Sequence, residues 1–178
     1  MQRRELEELQ FFSQNVHGLT EDKFEEMLAF MRERKIFAFA IQESWKKDHA
    51  AVANSGFTMV SNGNSTGPAR GGVAIVMSPP AIQAWTAAGS KVLCYGTRII
   101  AVKFQVRDSA KKLVNIVFAS AYAPVCAARD QKRKTYYDDL QRCADDCGED
   151  EILIIGTDIN ASMGVRVSED AFIDSPRS

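Results

Sequence analysis

The chain has 178 residues, 46% of them hydrophobic and 25% charged, which is the size and balance of one domain that can bury a core without staples. Lys and Arg number 22 against 23 Asp and Glu, so a net charge of -1 provides no overall basic field for avid, non-specific nucleic-acid binding. No run of about 18 apolar residues offers a membrane span, and the charged start Met1-Gln-Arg-Arg-Glu-Leu-Glu-Glu lacks the apolar stretch of a secretory signal.

Residues 1–8 read as a charged tail and residues 9–178 as one unit, since no repeat, low-complexity tract or long linker divides them. Strand and helix patterns alternate along that unit, which predicts an α/β fold. Residues 9–16 are a first strand, with aromatic side chains suited to a pleated surface. Thr20 is a candidate N-cap, Glu21 and Asp22 favour the positive end of a helix, and Leu19 can staple Phe24. Phe24, Met27, Leu28 and Met31 recur at helical spacing, and the helix closes near Arg34-Lys35. Ile36-Phe-Ala-Phe-Ala-Ile41 has the unbroken apolar character of a buried strand.

Residues 57–61 and 72–77 are two further strands, separated by a loop rich in turn residues. Within that loop Arg70 reads as a solvated charge, and Gly71-Gly72 as tight backbone packing at a strand start. Residues 97–106 and 113–121 form a hairpin around Asp108-Ser-Ala-Lys-Lys112. A helix over residues 127–147 places Tyr136, Leu140, Cys143 and Cys147 on one stripe, and residues 151–155 are a last strand. Beyond Met163 no strand is legible. Cys94, Cys126, Cys143 and Cys147 form no CxxC pair, and with only His17 and His49 beside them they predict no structural zinc site. Reduced thiols and the absence of a signal point to an intracellular setting, nuclear or cytoplasmic.

Polar residues gather where these strands end. Asn15 follows the first strand, Gln42-Glu43 the second, Tyr122 the end of the hairpin, and Asp158 with Asn160 the last strand. In α/β sheets ligands collect at the carboxyl ends of strands, where several loops converge. Glu43 and Asp158 would be hard oxygen ligands suited to Mg²⁺ and not to zinc. Two amides and a phenol add neutral donors that can orient a phosphate, which completes the parts for metal-assisted attack on a phosphoester.

Five motifs occur in order: Asn15-Val-His-Gly-Leu19, Gln42-Glu-Ser-Trp45, Arg70-Gly-Gly-Val-Ala-Ile75, Ala121-Tyr-Ala-Pro124 and Gly156-Thr-Asp-Ile-Asn160. Together they resemble the endonuclease/exonuclease/phosphatase superfamily, particularly apurinic-endonuclease-like nucleases and the endonuclease domains of non-LTR retrotransposons. The resemblance implies a four-layer αββα sandwich of two mixed sheets. It implies a Mg²⁺ ion, with Mn²⁺ as the alternative, held at Glu43. Asp158 would orient or deprotonate the attacking water, Asn160 would help hold water and phosphate, and Tyr122 and Asn15 would stand against the reacting phosphate. DNA is the implied substrate, no membrane is involved, and in an intact element a reverse transcriptase would be encoded downstream.

The resemblance also implies a further aspartate and a Ser-Asp-His segment near the family's C-terminus. This chain ends at Ser178 and holds no histidine after His49, so the sandwich is expected to be incomplete at the C-terminus. Asp170 and Asp174 lie too close to Asp158 to stand in, and His17 occupies a variable position of its motif. Thr157 shifts the spacing relative to the family's G-D-x-N while keeping Asp-x-Asn. The chain is accordingly expected to be a weakened or inactive endonuclease, with apolar faces of residues 113–121 and 152–155 short of cover. The shared motifs do not choose a substrate. A phosphatase or lipid phosphodiesterase of the same superfamily, or a catalytically dead fragment or binding module, stand as alternatives.

Overall fold

A segment that is apolar at every position, such as Ile36 to Ile41, needs cover on both faces, and the fold supplies it from two sides. The computed structural model describes residues 8–46, 50–63, 71–125, 128 and 130–160. In chain order the elements are β1 (Gln10–Asn15), α1 (Glu21–Glu33), β2 (Ile36–Gln42), β3 (Ala50–Asn54), β4 (Phe57–Asn62) and β5 (Val73–Met77). They continue with α2 (Pro79–Ala87), β6 (Val92–Tyr95), β7 (Ile99–Arg107), β8 (Leu113–Tyr122), α3 (Asp130–Asp145) and β9 (Glu151–Asp158).

Two mixed sheets pack face to face. The first has the order β1-β2-β5-β4-β3 and the second β6-β7-β8-β9. Among the described residues, β1 with β2 and β8 with β9 are the pairs that run parallel. These two parallel pairs bring four carboxyl ends to one rim of the sandwich. Between the sheets, Ala38, Ala40, Val60, Val73 and Ile75 meet Ile100, Val102, Phe104, Ile116 and Phe118. On the outer face of the first sheet, Phe24, Met27, Leu28 and Met31 of α1 cover Phe39, Ile41, Met59 and Val76. On the outer face of the second, Tyr136 and Cys143 of α3 cover Ile99, Ala101, Val117, Ala119 and Ala121. The order helix, sheet, sheet, helix is the four-layer sandwich expected from the sequence.

Local chemistry accounts for the boundaries. Thr20 Oγ1 accepts from Lys23 N at 3.3 Å and caps α1, and Leu19 packs in the same cluster as Phe24. Lys35 takes a left-handed φ of 54° just past the helix and turns the chain into β2. The β7–β8 hairpin closes through Asp108 N to Lys112 O at 3.0 Å, with Asp108 Oδ1 accepting from Lys112 N at 2.9 Å.

Four sequence expectations change. A helix over Pro79–Ala87 and edge strands over Ala50–Asn54 and Val92–Tyr95 are present where none was expected. The two strands are short, and the first is rich in alanine, so pairing with β4 and β7 decides them more than propensity does. Pro79 and Pro80 follow Ser78 as helix-starting residues, a signal that the apolar pattern alone does not carry. The last strand runs to Asp158 rather than stopping at Ile155, because its parallel pairing with β8 continues to Tyr122 opposite Asp158. Finally, the cover expected to be short over residues 113–121 is present from Ile116 to Ala121, which are buried between the first sheet and α3, while Leu113 to Asn115 and residues 152–155 are half-buried or exposed. Exposed large apolar residues on these two strands are Leu113 and Ile152. Residues 161–178, with Asp170 and Asp174, and also His49, Arg70 and Cys126, lie outside the described residues.

At Gly156 the two sheets approach closely on the site side. A Cβ there would lie 2.6 Å from Ala40 Cβ and 2.7 Å from Ser13 Oγ, contacts that real side chains do not make. Gly156→Ala is therefore expected to destabilise the chain by about 1–3 kcal/mol, as overpacking does. Denaturant unfolding measures it, and an unchanged midpoint would contradict the close approach.

Candidate functional site

Four strand ends converge at one rim, and a buried polar layer one pleat below the rim aligns them. Gln42 Nε2 donates to Ser120 Oγ at 3.1 Å and to Gly156 O at 3.1 Å across the sandwich, and lies 3.2 Å from Ser13 Oγ within its own sheet. Ser120 Oγ donates in turn to Ile41 O at 2.8 Å. Side chains two residues apart on a strand share a face. Ser13 therefore carries Asn15, Ser120 carries Tyr122, and Gly156 carries Asp158 to the same side. Glu43 is only one residue beyond Gln42 and would point the other way in a regular strand. Its φ of 52° turns it back toward the others.

The side chains meet at two carboxylates. Asn15 Nδ2 donates to Glu43 Oε1 at 2.9 Å and to Asp158 Oδ2 at 2.7 Å. Asn15 Oδ1 accepts from His17 N at 3.0 Å, which fixes the amide with its NH₂ toward the acids. Tyr122 OH donates to Glu43 Oε1 at 2.8 Å, and His17 Nδ1 stands 3.2 Å from Glu43 Oε2. Asp158 Oδ1 accepts from Asn160 N at 3.1 Å, and Asn160 Nδ2 donates to Ala123 O at 2.9 Å. All five residues singled out from the sequence thus stand in one cluster. Thr157 faces away from it, toward Tyr136 on the α3 side, while Gly156 and Asp158 face the first sheet. The inserted residue leaves the Asp158 direction intact.

Burial raises the Glu43 pKa, but hydrogen bonds from Asn15, Tyr122 and His17 together outweigh it and hold the carboxyl below its ordinary value. The Tyr122 phenol is shifted up by burial and by its bond to Glu43, so it remains a neutral donor. Arg98, unmarked by the sequence reading, stacks on this ring with its guanidinium carbon 5.1 Å from the centroid and donates to Tyr122 O at 3.2 Å. The only signal for it was a cation just before an apolar strand, which is common to many surface residues.

Backbone strain concentrates here. Of eight non-glycine residues with positive φ among those described, His17, Glu43, Trp45 and Asn160 lie in or beside the cluster. Gly71 and Gly72 pin the Glu43 segment from below, through Ser44 N to Gly72 O at 3.1 Å and Trp45 N to Gly71 O at 2.8 Å. Their role is close backbone packing. Trp45 lies against Gly18, where a Cβ would come within 2.5 Å of the indole.

No group of three or more His, Cys, Asp or Glu arranged to hold a metal ion occurs among the described residues. The donor set nevertheless fits a hard, well-hydrated ion. Mg²⁺ is commonly held by one or two carboxylates with waters completing the shell, and Glu43 is an ionised oxygen donor at the rim. A cavity of about 660 Å³ near Arg32, Lys35, Phe37 and Pro79 lies at the opposite ends of β1 and β2 and contains none of these groups.

No protein-family model matches the sequence, and no curated protein matches it. Solved structures do. The catalytic domain of Xenopus laevis APE2 superposes with a TM-score of 0.58 at 15% identity, over 85% of this chain and 58% of that one. D. rerio TDP2 complexed with a single-stranded DNA product gives 0.51 at 13% identity, over 87% and 62%. The human Nocturnin catalytic domain with a bound sulfate anion gives 0.50 at 11%, over 80% and 58%. The chain therefore has the fold of the endonuclease/exonuclease/phosphatase superfamily, to which all three belong, and spans about three-fifths of the length of these relatives. Among the described residues no helix is long and apolar enough to cross a membrane.

The electrostatics can be tested directly. Removing a donor from an ionised carboxylate destabilises the charged form, so Tyr122→Phe and Asn15→Ala should each raise the Glu43 pKa. Glu43 then loses its charge at a higher pH on acidification, and stability it contributes above its unfolded-state pKa is lost earlier as pH falls. Carboxyl carbon NMR titration reads the shift; a pKa that stays or falls in both variants would contradict the network.

Proposed function

We propose that this chain belongs to a metal-dependent phosphodiesterase acting on DNA, of the retrotransposon endonuclease kind. The observation that supports it most is the single Asn15 amide shared by Glu43 and Asp158. It sets two acids side by side yet gives them different surroundings, one suited to a cation and one to a water.

In this reading Glu43 holds Mg²⁺, with Mn²⁺ as the alternative. The bound ion would supply charge to offset the phosphate and its leaving oxygen. Asp158 accepts a proton from, or orients, the attacking water, a role that depends on hydrogen-bond reach more than on pKa. Asn160 completes the hold on water and phosphate. Tyr122 donates its phenolic proton and Asn15 its amide to Glu43, which orients the carboxylate, and either group would exchange such a bond to donate to a phosphate at the rim. Arg98 adds positive charge beside Tyr122. DNA as substrate draws support from the likeness to a TDP2 complexed with single-stranded DNA product. In an intact element a reverse transcriptase would be encoded downstream.

No histidine follows His49, so the transition-state charge has no imidazole of the family's kind on this chain. Losing one such stabiliser costs on the order of 10²–10³ in rate. Slow nicking of supercoiled plasmid in Mg²⁺ is therefore the expected outcome for the 178-residue chain. It should vanish in Glu43→Gln and fall by about 10²–10⁴ in Asp158→Asn. Release of phosphate from inositol phosphates without nicking would replace this reading with the phosphatase or lipid phosphodiesterase alternative. Binding of DNA without hydrolysis of either substrate would favour the binding module.

A further inference from the structure

The rim carries apolar side chains that the proposed reaction does not use. Trp45 is 43% exposed, and Val125 and Ile159 are each more than half exposed. All three lie in the segments that leave β2, β8 and β9 beside the acids. Trp45 stands two residues beyond Glu43, at most about 7 Å along the chain. Ile159 lies between Asp158 and Asn160, and Val125 follows Tyr122-Ala-Pro124. The polar cluster is therefore flanked by an indole on the first-sheet side and by two aliphatic groups on the second-sheet side.

Trp45 is also rigidly held. Its φ of 54° is a conformation that bulky residues rarely adopt. Trp45 N donates to Gly71 O at 2.8 Å, Ser44 N to Gly72 O at 3.1 Å, and Leu19 N to Ser44 O at 3.1 Å, so the segment is tied on both sides. The six-membered ring rests on Gly18, where an added Cβ would come within 2.9 Å of three of its atoms. Covering a glycine needs only a small apolar group, whereas the indole leaves much of its surface in water. An aromatic side chain fixed before binding loses little entropy when it takes up a partner.

The chemistry of this rim selects the partner. Continuous duplex presents phosphates and sugars outward, and these reward cations more than an indole and two aliphatic groups. With a net charge of -1, the chain gains little from a general electrostatic attraction to phosphate. An unpaired base offers a π-face, and its stacking on an aromatic ring tolerates any sequence. A base joined to a phosphate at Glu43 and Asp158 lies within the short span that separates Glu43 from Trp45.

We propose that Trp45 is the stacking platform for an unpaired DNA base next to the phosphate at Glu43 and Asp158, with Val125 and Ile159 lining the other side. The site then takes single-stranded or locally opened DNA in preference to continuous duplex. This rests on the reading of DNA as substrate and adds to it the state of the strand.

The test uses the whole chain carrying Trp85→Phe, which leaves Trp45 as the one tryptophan of the two in the sequence. Its fluorescence is titrated in Mg²⁺ with a single-stranded oligonucleotide, the same sequence as duplex, and a strand of equal charge built from abasic sites. The slow nicking expected of this chain leaves the strands intact during the titration. The single strand should quench Trp45 and bind about tenfold more tightly than duplex, and the abasic strand should not quench. Trp45→Leu keeps an apolar cover on Gly18 and removes the π-face. Followed by anisotropy of a labelled strand, it should weaken single-strand binding about tenfold and leave duplex binding unchanged, while Trp45→Tyr restores most of the loss. Equal quenching by the abasic strand, or Trp45→Leu binding the single strand as wild type does, overturns the proposal. Either result leaves the DNA reading standing if nicking still requires Glu43. Binding of none of the three strands, with quenching by an inositol phosphate, overturns both.

Discussion

The Gln42 side chain is the contact on which the rest of the site depends. It is almost wholly buried, so its amide has to be satisfied inside the protein, and among the partners that satisfy it are Ser120 and the Gly156 carbonyl from the opposite sheet. A buried amide left without partners costs about 1–3 kcal/mol, which makes any sliding of one sheet over the other unfavourable at this point. Apolar packing between the sheets has no comparable direction: Ala40, Ile75, Val102 and Phe118 would tolerate small shifts. The polar layer supplies the direction, and the rim above it inherits the alignment.

That inheritance explains why residues from so far apart in sequence form a network of ordinary hydrogen-bond lengths. Asn15 and Asp158 are separated by 143 positions yet meet at 2.7 Å. Two carboxylates at one rim repel each other and each loses water, so the arrangement holds only because donors surround them. An amide, a phenol and backbone N–H groups do this without adding a full positive charge. The acids keep their negative potential toward the rim, which is what a divalent cation requires of them.

The same rim carries the left-handed residues His17, Glu43, Trp45 and Asn160. Each departs from the strand geometry that precedes it, and each re-aims a side chain or turns the chain at the end of a β1, β2 or β9 segment. The strain is sustained by backbone bonds to Gly71 and Gly72 and by the Lys23 ammonium on successive carbonyls. A rigid two-sheet scaffold with irregular, well-tied ends separates the task of folding from the task of presenting groups.

Much of this was legible in the amino-acid sequence, for a physical reason. The unbroken apolar run of β2, the α1 stripe with its Thr20 cap and the Asp108 turn are local patterns, and local patterns report local structure. So is the habit of polar residues to follow apolar runs, which together with the five ordered motifs singled out Asn15, Glu43, Tyr122, Asp158 and Asn160. Short elements escaped: the alanine-rich β3 and the four-residue β6 exist through pairing with neighbours, and α2 through cover of the inner core. What only the tertiary structure decided is how the strand ends meet. The reversal of Glu43 by its φ, the outward turn of Thr157, the place of Arg98 on Tyr122 and the approach of His17 to Glu43 all depend on non-local contacts. Sequence periodicity states which face a side chain takes along its own strand. It does not state where that strand stands relative to a partner sheet, and here Gln42, Ser120 and Gly156 decide that.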